Sequence, residues 1–568
     1  MKRATLVLVL ASALLLAGQN ALAQNVAVPK PHPAHALPAA AQQAMKSIDA
    51  EKIRATVKFL SDDSLEGRGT GQKGGDAAAD WIAAQFKSYG LAPAGDDGTY
   101  FQSVGFYGVT TDGGKTQFAF VPKAGAEMPL KFADDYVATD MTHADKSEID
   151  APIVFVGYGI NAPEYKWDDY KGVDLKGKAV LMLVNEPPSD DPNFFKGRAL
   201  TYYGRWTYKY EEAARRGAVA VILVHKTEMA SYPWEVVRNS WGGESSLLQN
   251  DKDPKLQSAG WVQLEVARKL AASAGQDLDQ MLKDANTRTF KPVDLGVRLK
   301  ETIVSKVRPF ASRNVVGKVK GSDSKLAGQA VVYSAHYDHL GIHPNEPGDN
   351  IYNGAADNAT GCGILLELAR AFASAKEKPK RSIFFASVTA EEQGLLGSRY
   401  LGQHPPVPAK DISLDLNYDD IQPFGEPLQL VVSGAERTTV FPLVEAMAKD
   451  FDMAIQPDDH PEAGHYYRSD HFSMARVGVP AFSVNEGPLF RGHDLAWGEE
   501  KERDYVTHRY HQPSDEYRAE MDFTADAKLA KFGLILGWHV ANQPELVGWQ
   551  PGDEFERARK ASQQGKPK

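Results

Sequence analysis

The sequence is poor in three features that would each assign a protein to a class: cysteine, long apolar runs and charge of one sign. It has one cysteine, Cys362, among 568 residues, which excludes an intramolecular disulfide. Beyond the N-terminus there is no run of about 18 or more apolar residues, so we expect no membrane insertion. The net charge of −10 is spread without long runs of one sign, and nucleic-acid binding therefore has little support. We expect core burial in two or more domains to stabilise the chain.

The N-terminus has the features of a secretory signal peptide. Lys2 and Arg3 precede an apolar stretch over residues 4–17, and Ala21 and Ala23 form an A-x-A arrangement. We expect cleavage after Ala23 and export of a soluble protein to the periplasm or the medium. Because no cysteine follows that position directly, a bacterial lipid anchor is not indicated.

Composition and periodicity divide the chain into six predicted segments. These are a signal peptide (1–23), a disordered Pro/Ala-rich linker (24–44), a helical lead-in to the main domain (45–129), an inserted smaller β-rich domain (130–302), the main domain itself (303–548) and a polar C-terminal tail (549–568). Two stretches of the lead-in show apolar residues at helical spacing, and Gly90 is a suitable C-cap for the second. The insert contains no cluster of potential ligands.

The second half alternates strand-like and helix-like runs. The strand-like runs are QAVVYSA, RSIFFASV, DISLDLN, PLQLVVS and PAFSV, and three amphipathic or apolar helices lie between or after them. This alternation predicts an α/β fold with a mixed central β-sheet and helices on both faces. In open α/β sheets, ligands bind beyond the carboxyl ends of the strands.

Imidazoles and carboxylates follow three of these strands and two later turns. The candidates are His336, Asp338, His339, Asp357, Glu391, Glu392, Asp419, Asp420, His508 and His511. Taken singly, each has a structural explanation, such as a loop histidine, an Asp that caps a helix, or an acidic residue in a first helical turn. Those explanations give no reason for all of them to fall at strand ends of one domain.

Two histidines and three carboxylates form a suitable ligand set for two divalent metal ions, with one carboxylate bridging. Imidazole nitrogen and carboxylate oxygen suit zinc and its neighbours, and Cys362 lies on the apolar face of a predicted helix, so no thiolate is offered. Two such ions can activate a water and polarise a substrate carbonyl. A further base must then accept the proton, which explains a second glutamate beside a ligand glutamate.

Five ordered segments resemble peptidase family M28, the bacterial zinc aminopeptidases related to glutamate carboxypeptidase and transferrin receptor. They are SAHYDHLG, GAADNATG, TAEEQGLLGS, NYDD and YHQPSDEY. The stretches FLSDDSLEGRGTGQKGGDAAADWIAAQFKSYGL and YRSDHFSMARVGVPAFSV are similar to further family segments, and the insert resembles a protease-associated (PA) domain. The resemblance implies a metallo-exopeptidase that takes peptides with a free N-terminus and holds two Zn²⁺ ions per subunit, or Co²⁺ or Mn²⁺ in their place.

The resemblance also implies a role at each matching position. His336 and Asp419 would hold one metal and Glu392 and His511 the other, with Asp357 bridging, Glu391 as the general base, and Asp338 orienting the first histidine. In NYDDI, Asp420 stands where the family commonly has an apolar residue. The sequence therefore leaves open whether Asp419 or Asp420 is the ligand.

Several other functions compete with this interpretation. A non-catalytic receptor is the main competitor from another class, because relatives with this architecture include members that have lost their ligands; here every ligand position is filled. A serine hydrolase is disfavoured because the sequence has no G-x-S-x-G motif. Carboxypeptidase, dipeptidase and glutaminyl cyclase activities occur on related frameworks. The exported context and the likeness of TAEEQGLLGS and YHQPSDEY to the aminopeptidase branch favour an aminopeptidase.

Overall fold

The computed structural model describes residues 37–230, 233–343, 348–458 and 460–564. The predicted signal peptide and the first part of the predicted linker lie outside the described residues. The helices are α1 (Ala39–Lys46), α2 (Ala50–Leu60), α3 (Lys73–Ser88), α4 (Trp206–Arg215), α5 (Thr227–Ala230), α6 (Trp234–Gly242), α7 (Leu264–Ser273), α8 (Leu278–Ala285), α9 (Gly361–Ser374), α10 (Leu396–Gln403), α11 (Phe441–Asp450), α12 (His471–Arg476), α13 (Leu495–His508), α14 (Thr524–Asn542) and α15 (Glu556–Gln563). Within the described ranges, no helix has both the length and the apolar character that a bilayer crossing requires.

The strands alternate with these helices along most of the chain. They are β1 (Ala92–Pro93), β2 (Phe101–Thr111), β3 (Gln117–Pro122), β4 (Met128–Leu130), β5 (Tyr136–Thr139), β6 (Lys146–Phe155), β7 (Asn161–Ala162), β8 (Trp167–Asp168), β9 (Ala179–Leu183), β10 (Ala220–His225), β11 (Glu244–Leu248), β12 (Ser258–Gln263), β13 (Val293–Val319), β14 (Ala330–His336), β15 (Gly341–Ile342), β16 (Ile351–Tyr352), β17 (Ser382–Val388), β18 (Ile412–Asn417), β19 (Gln429–Val431), β20 (Ala454–Ile455), β21 (Ala481–Ser483) and β22 (Asn485–Glu486).

The second half of the chain forms a sheet in the order β21-β18-β14-β17-β13. The first four strands are parallel, and β13 is antiparallel to β17. Successive residues of β14 face opposite sides: Val331 and Tyr333 join the core under α2, α3, α9 and α14, whereas Val332 joins Leu401 of α10 and Met474 of α12. The predicted mixed α/β fold with helices on both faces is thereby confirmed.

The inserted segment has its own sheet, in which β6, β9, β10 and β12 are parallel and β5 is antiparallel to β12. Alternate residues of β9 again enter cores on opposite faces, with Leu181 on one side and Val180 on the other. The long strand β13 connects the two sheets, because its first part pairs with β3 and β6 and its second part with β2 and β17. The boundary predicted at 302/303 lies within this unbroken strand.

Two predicted segments differ from the structure. The linker expected to be disordered through residue 44 overlaps α1, in which Ala40, Ala41 and Ala44 are buried against the core, since alanines at these positions share one face of a helix. The segment after residue 549, expected to be a polar tail, buries Trp549 and Phe555 in an aromatic cluster and continues into α15. In both cases a few apolar side chains in a polar or low-complexity stretch find a packing partner.

Charged and polar contacts join the insert to the second half of the chain. Glu211 of α4 lies 2.8 Å from the guanidinium of Arg476 of α12 and 4.0 Å from that of Arg399 of α10. Burial opposes ionisation of Glu211, but Arg476 and Arg399 outweigh it and lower the pKa of this carboxyl. Ser246 Oγ of β11 lies 3.0 Å from Gln393 Oε1, directly after the paired glutamates. The insert therefore contacts the loop that carries Glu391 and Glu392.

One buried acid lies in the shared strand. Glu301 of β13 is 2% exposed. Burial raises the pKa of its carboxyl to about 8, the nearby Ser258 hydroxyl opposes that shift, and Asp140 adds to it. Glu301 is therefore mostly protonated at neutral pH and needs no cation within the core of the insert.

Candidate metal centre

Parallel pairing brings the predicted site residues to one edge of the sheet. His336 ends β14 and is in register with Val388, which ends the neighbouring β17, while β18 pairs with the other side of β14. Glu391 and Glu392 follow β17, and Asp419 follows β18. Since the carboxyl ends of parallel strands meet at one edge, these side chains converge although they are far apart in sequence.

A first group forms around His336. Its Nε2 atom lies 2.9 Å from Asp419 Oδ1 and 3.2 Å from Asp357 Oδ1. The imidazole is buried, with 1% of its side chain exposed. Burial alone would lower the pKa of His336, but the adjacent Asp419 and Glu391 carboxylates raise it well above the ordinary value.

A second group forms around His511. Its Nε2 atom lies 3.1 Å from Asp357 Oδ2 and 3.2 Å from Glu392 Oε2. Although burial opposes the shift, Asp357 and Glu392 raise the pKa of His511 to about 10. The two oxygens of Asp357 thus face different groups, which is the position required of a bridging carboxylate.

The donor chemistry of these groups fits divalent metal ions. The carboxylates of Asp357, Glu392 and Asp419 face three imidazoles, those of His336, His339 and His511, and among the described residues neither Lys nor Arg forms an ion pair with these carboxylates. Carboxylate oxygen with imidazole nitrogen, and no thiolate, is a set that zinc accepts. Cys362 is buried in α9 with its Sγ toward the His336 backbone carbonyl, as the predicted core position requires. The negative charge of the cluster favours a bound cation.

The adjacent glutamates face different neighbours. Glu392 belongs to the His511 group, whereas the carboxylate of Glu391 lies with His336 and Asp419, the three offering donor atoms within 4.8 Å of one another. Burial raises the pKa of Glu391 well above its ordinary value, and Asp419 and Glu392 add to that shift while His336 opposes it. The carboxylate of Glu391 therefore belongs to the first group and that of Glu392 to the second.

Asp338, which the resemblance implies orients His336, lies beside that imidazole, with its backbone carbonyl nearer than its carboxylate. His336 Nδ1 lies 3.1 Å from the backbone carbonyl oxygen of Asp338 and 3.9 Å from its carboxylate. The carboxylate instead accepts a hydrogen bond from Thr70 Oγ1 at 2.9 Å and one from the backbone N–H of Glu391 at 3.2 Å. Asp338 therefore contacts both the first imidazole and the segment that carries the glutamates.

The structure places Asp419, and not Asp420, beside His336. The second oxygen of Asp419 accepts a hydrogen bond from Ser469 Oγ. Asp420 has a left-handed backbone (φ 58°), and its Oδ1 accepts from Gln422 Nε2 at 2.9 Å. Successive residues after the strand thus point in different directions.

Some candidates lie elsewhere, and some contacts were not predicted. His508 is exposed at the end of α13 and lies 3.2 Å from Asp504, outside both groups. His339 Nδ1 lies 2.6 Å from Glu392 Oε1, and Asp515 Oδ2 accepts from the backbone N–H of Asp357 at 3.1 Å. His339 lies within the motif SAHYDHLG and Asp515 within YHQPSDEY, so their positions in these motifs were the sequence feature that could have indicated their contacts at the site.

Comparison with known proteins gives a family and several relatives. Residues 314–532 match the model of peptidase family M28. A protein of Pyrenophora tritici-repentis described as a probable zinc metalloprotease is 35% identical over 116 residues, which cover 20% of this chain and 22% of that protein. A probable leucine aminopeptidase 2 of Aspergillus oryzae is 25% identical over 390 residues, covering 66% and 64% of the two chains. The chain thus spans less than a quarter of the first relative and just under two thirds of the second.

Solved structures are also similar to the chain. An aminopeptidase from Aneurinibacillus sp. strain AM-1 is 20% identical, with 90% of this chain and 98% of that chain covered and a TM-score of 0.48. A zinc aminopeptidase from Bacillus subtilis is 16% identical, with 88% and 96% covered and a TM-score of 0.41.

Proposed function

We propose that this chain, a member of peptidase family M28 over residues 314–532, is an exported aminopeptidase with two zinc ions per subunit. The observation that carries the proposal is the placement of Asp357, whose two oxygens lie 3.2 Å from His336 Nε2 and 3.1 Å from His511 Nε2. His336 and Asp419 would hold one ion and Glu392 and His511 the other. Co²⁺ or Mn²⁺ would substitute for zinc with the same donors.

The chain's own residues supply the proton transfers. Zinc at such a site supplies Lewis-acid chemistry that polarises a peptide carbonyl. Glu391 accepts a proton from the attacking water and delivers it to the leaving amine, a role that suits a half-buried carboxyl with a raised pKa. Asp338 fixes the backbone of Glu391 through a 3.2 Å hydrogen bond, so the base keeps its position while its charge changes.

The test of the metal centre is removal and return of the ion. A chelator should abolish peptide hydrolysis, Zn²⁺ or Co²⁺ should restore it, and a serine-directed reagent should have no effect. Purified protein should contain two metal ions per chain by elemental analysis. Active protein without bound metal would refute the proposal, and an inactive chain without metal would instead support the receptor-like alternative.

The aminopeptidase assignment rests on the motif likeness and on the similar Aspergillus oryzae protein described as a probable leucine aminopeptidase 2. The protein should release a reporter from an unblocked amino acid and fail on the N-acetylated form of the same compound. Equal rates on both would refute the exopeptidase assignment while leaving the metal centre intact. Release that instead requires a free C-terminus would identify a carboxypeptidase. For export, the N-terminus of the protein recovered outside the cytoplasm should begin at Gln24.

A further inference from the structure

A buried arginine lies beneath the metal centre and contributes no ligand. Arg68 has no solvent exposure. Its guanidinium donates to four backbone carbonyls: Nε to Tyr337 at 2.7 Å, Nη1 to Leu60 and to Asn353, and Nη2 to Gly354 at 2.8 Å. No carboxylate among the described residues forms an ion pair with it, so its hydrogen bonds serve the backbone alone.

Two of these carbonyl groups belong to the segments that present the predicted ligands. Tyr337 stands between His336 and Asp338, and Gly354 lies three residues before Asp357. The backbone carbonyl of Arg68 also accepts from the N–H of His339 at 3.3 Å. One side chain therefore joins the end of β14 to the turn that carries the bridging carboxylate.

Thr70, two residues after Arg68, forms a further hydrogen bond near the metal centre. Its hydroxyl donates to Asp338 Oδ2 at 2.9 Å, and the other oxygen of Asp338 accepts from the backbone N–H of Glu391 at 3.2 Å. Hydrogen bonds from Arg68 thus connect this segment to the residue after His336 and to the turn that carries Asp357. Thr70 connects it, through Asp338, to the backbone of Glu391.

Close backbone packing leaves this arrangement little freedom. Gly67 has φ 65°, and a Cβ there would lie 2.5 Å from the carbonyl oxygen of Tyr352. The far end of the Asp357 turn is held separately, because Asp515 accepts the backbone N–H groups of Ala356 and Asp357 at 3.0 and 3.1 Å. Arg68 therefore fixes the carbonyl end of this turn and Asp515 its N–H end.

We propose that Arg68 and Thr70 are positioning residues of the metal centre, which hold the His336 and Asp357 segments at the spacing that two ions require. This inference rests on the proposed function. A planar guanidinium with several fixed donors can span three backbone segments, whereas a lysine ammonium acts from a single nitrogen. Partners of metal ligands typically contribute a factor of 10–100 in metal affinity.

The experiment measures Co²⁺ binding to metal-free protein by titration, together with the visible absorption spectrum of the bound ion. Arg68→Lys should weaken binding by about 10-fold or more and alter the spectrum. Arg381→Lys is the matched control, because Arg381 is equally buried and donates to the carbonyls of Val540, Gln543 and Pro544, remote from both groups. The control should lose thermal stability and keep wild-type cobalt affinity.

Thr70→Val provides a second test that leaves the buried arginine in place and decides the matter if Arg68→Lys fails to fold. It should weaken cobalt binding and shift the pH profile of hydrolysis, because it releases Asp338. Wild-type affinity and spectrum in the folded variants would overturn the inference alone. A wild-type protein that binds no cobalt would overturn the proposed function and this inference together.

Discussion

Replacement of the two adjacent glutamates should separate proton transfer from metal binding. Glu391→Gln keeps the size of the side chain and the backbone hydrogen bond to Asp338, but an amide cannot accept the proton. Glu392→Ala removes a carboxylate that faces His511 at 3.2 Å and His339 at 2.6 Å. Because the two side chains belong to different groups, neighbours of the same chemistry should fail in different ways.

The magnitudes follow from these contacts. Loss of a general base typically lowers the rate by about 10²–10⁴, which corresponds to roughly 3–5 kcal/mol in activation free energy. Glu391→Gln should show this loss with both ions retained. Glu392→Ala deletes a donor from the second group, so its metal affinity should fall by more than the roughly 10–100-fold typical of a partner behind a ligand. Excess zinc should restore part of its activity.

The assay combines kcat/KM on an unblocked amino-acid reporter with the metal content after dialysis. Glu391→Gln should retain two ions and lose activity, and Glu392→Ala should lose one ion and regain activity with added zinc. Near-normal turnover in Glu391→Gln, or unchanged metal content in Glu392→Ala, would show that these two roles are wrongly assigned.

Three further predictions concern the insert and its contacts. The folded chain raises the pKa of Glu301 to about 8, so the unfolded chain releases this proton at lower pH and stability should fall as pH rises from about 4.5 to 8. Glu301→Gln should remove this decline and raise stability at pH 7 by up to about 3 kcal/mol. An unchanged pH profile of the melting temperature in this variant would refute the prediction. Glu211→Gln should lower stability by about 1.5–3 kcal/mol by removing the carboxylate that faces Arg476 and Arg399, measured by thermal unfolding against Glu212→Gln, a similarly half-buried carboxylate whose partner Arg215 is 43% exposed. Because the insert offers no ligand cluster and its Ser246 lies 3.0 Å from Gln393, we expect the insert to act on substrate choice and not on metal binding; Ser246→Ala should therefore change the preference among N-terminal residues and keep both metals, and loss of metal would contradict this expectation.

The sequence alone was sufficient to predict the strands and helices that have a clear apolar pattern. The alternating and continuous apolar runs predicted β14, β17 and β18 to within a residue or two, and the helical spacing predicted α9 and α14. It also placed the candidate ligands directly after strands, because polar residues beyond a buried strand are visible in the chain itself. The segments at 39–44 and 549–563 were predicted to be a disordered linker and a polar tail, because their few apolar residues show no pattern until they are packed against the rest of the chain.

Which residues meet was decided by tertiary structure. The motif likeness named His336, Asp357, Glu392 and His511 together, but nothing in the local pattern states that one oxygen of Asp357 faces each histidine. Arg68 illustrates the limit most clearly, because it lies 269 positions before the carbonyl of Tyr337 that it binds. Because Arg68 donates to backbone carbonyls, which every residue has, no residue type in the sequence identifies its partners. Only the folded chain shows which carbonyls it binds. Sequence therefore determined the strands, the helices and the chemistry at their ends, and the packing of distant segments decided the spacing at which that chemistry can operate.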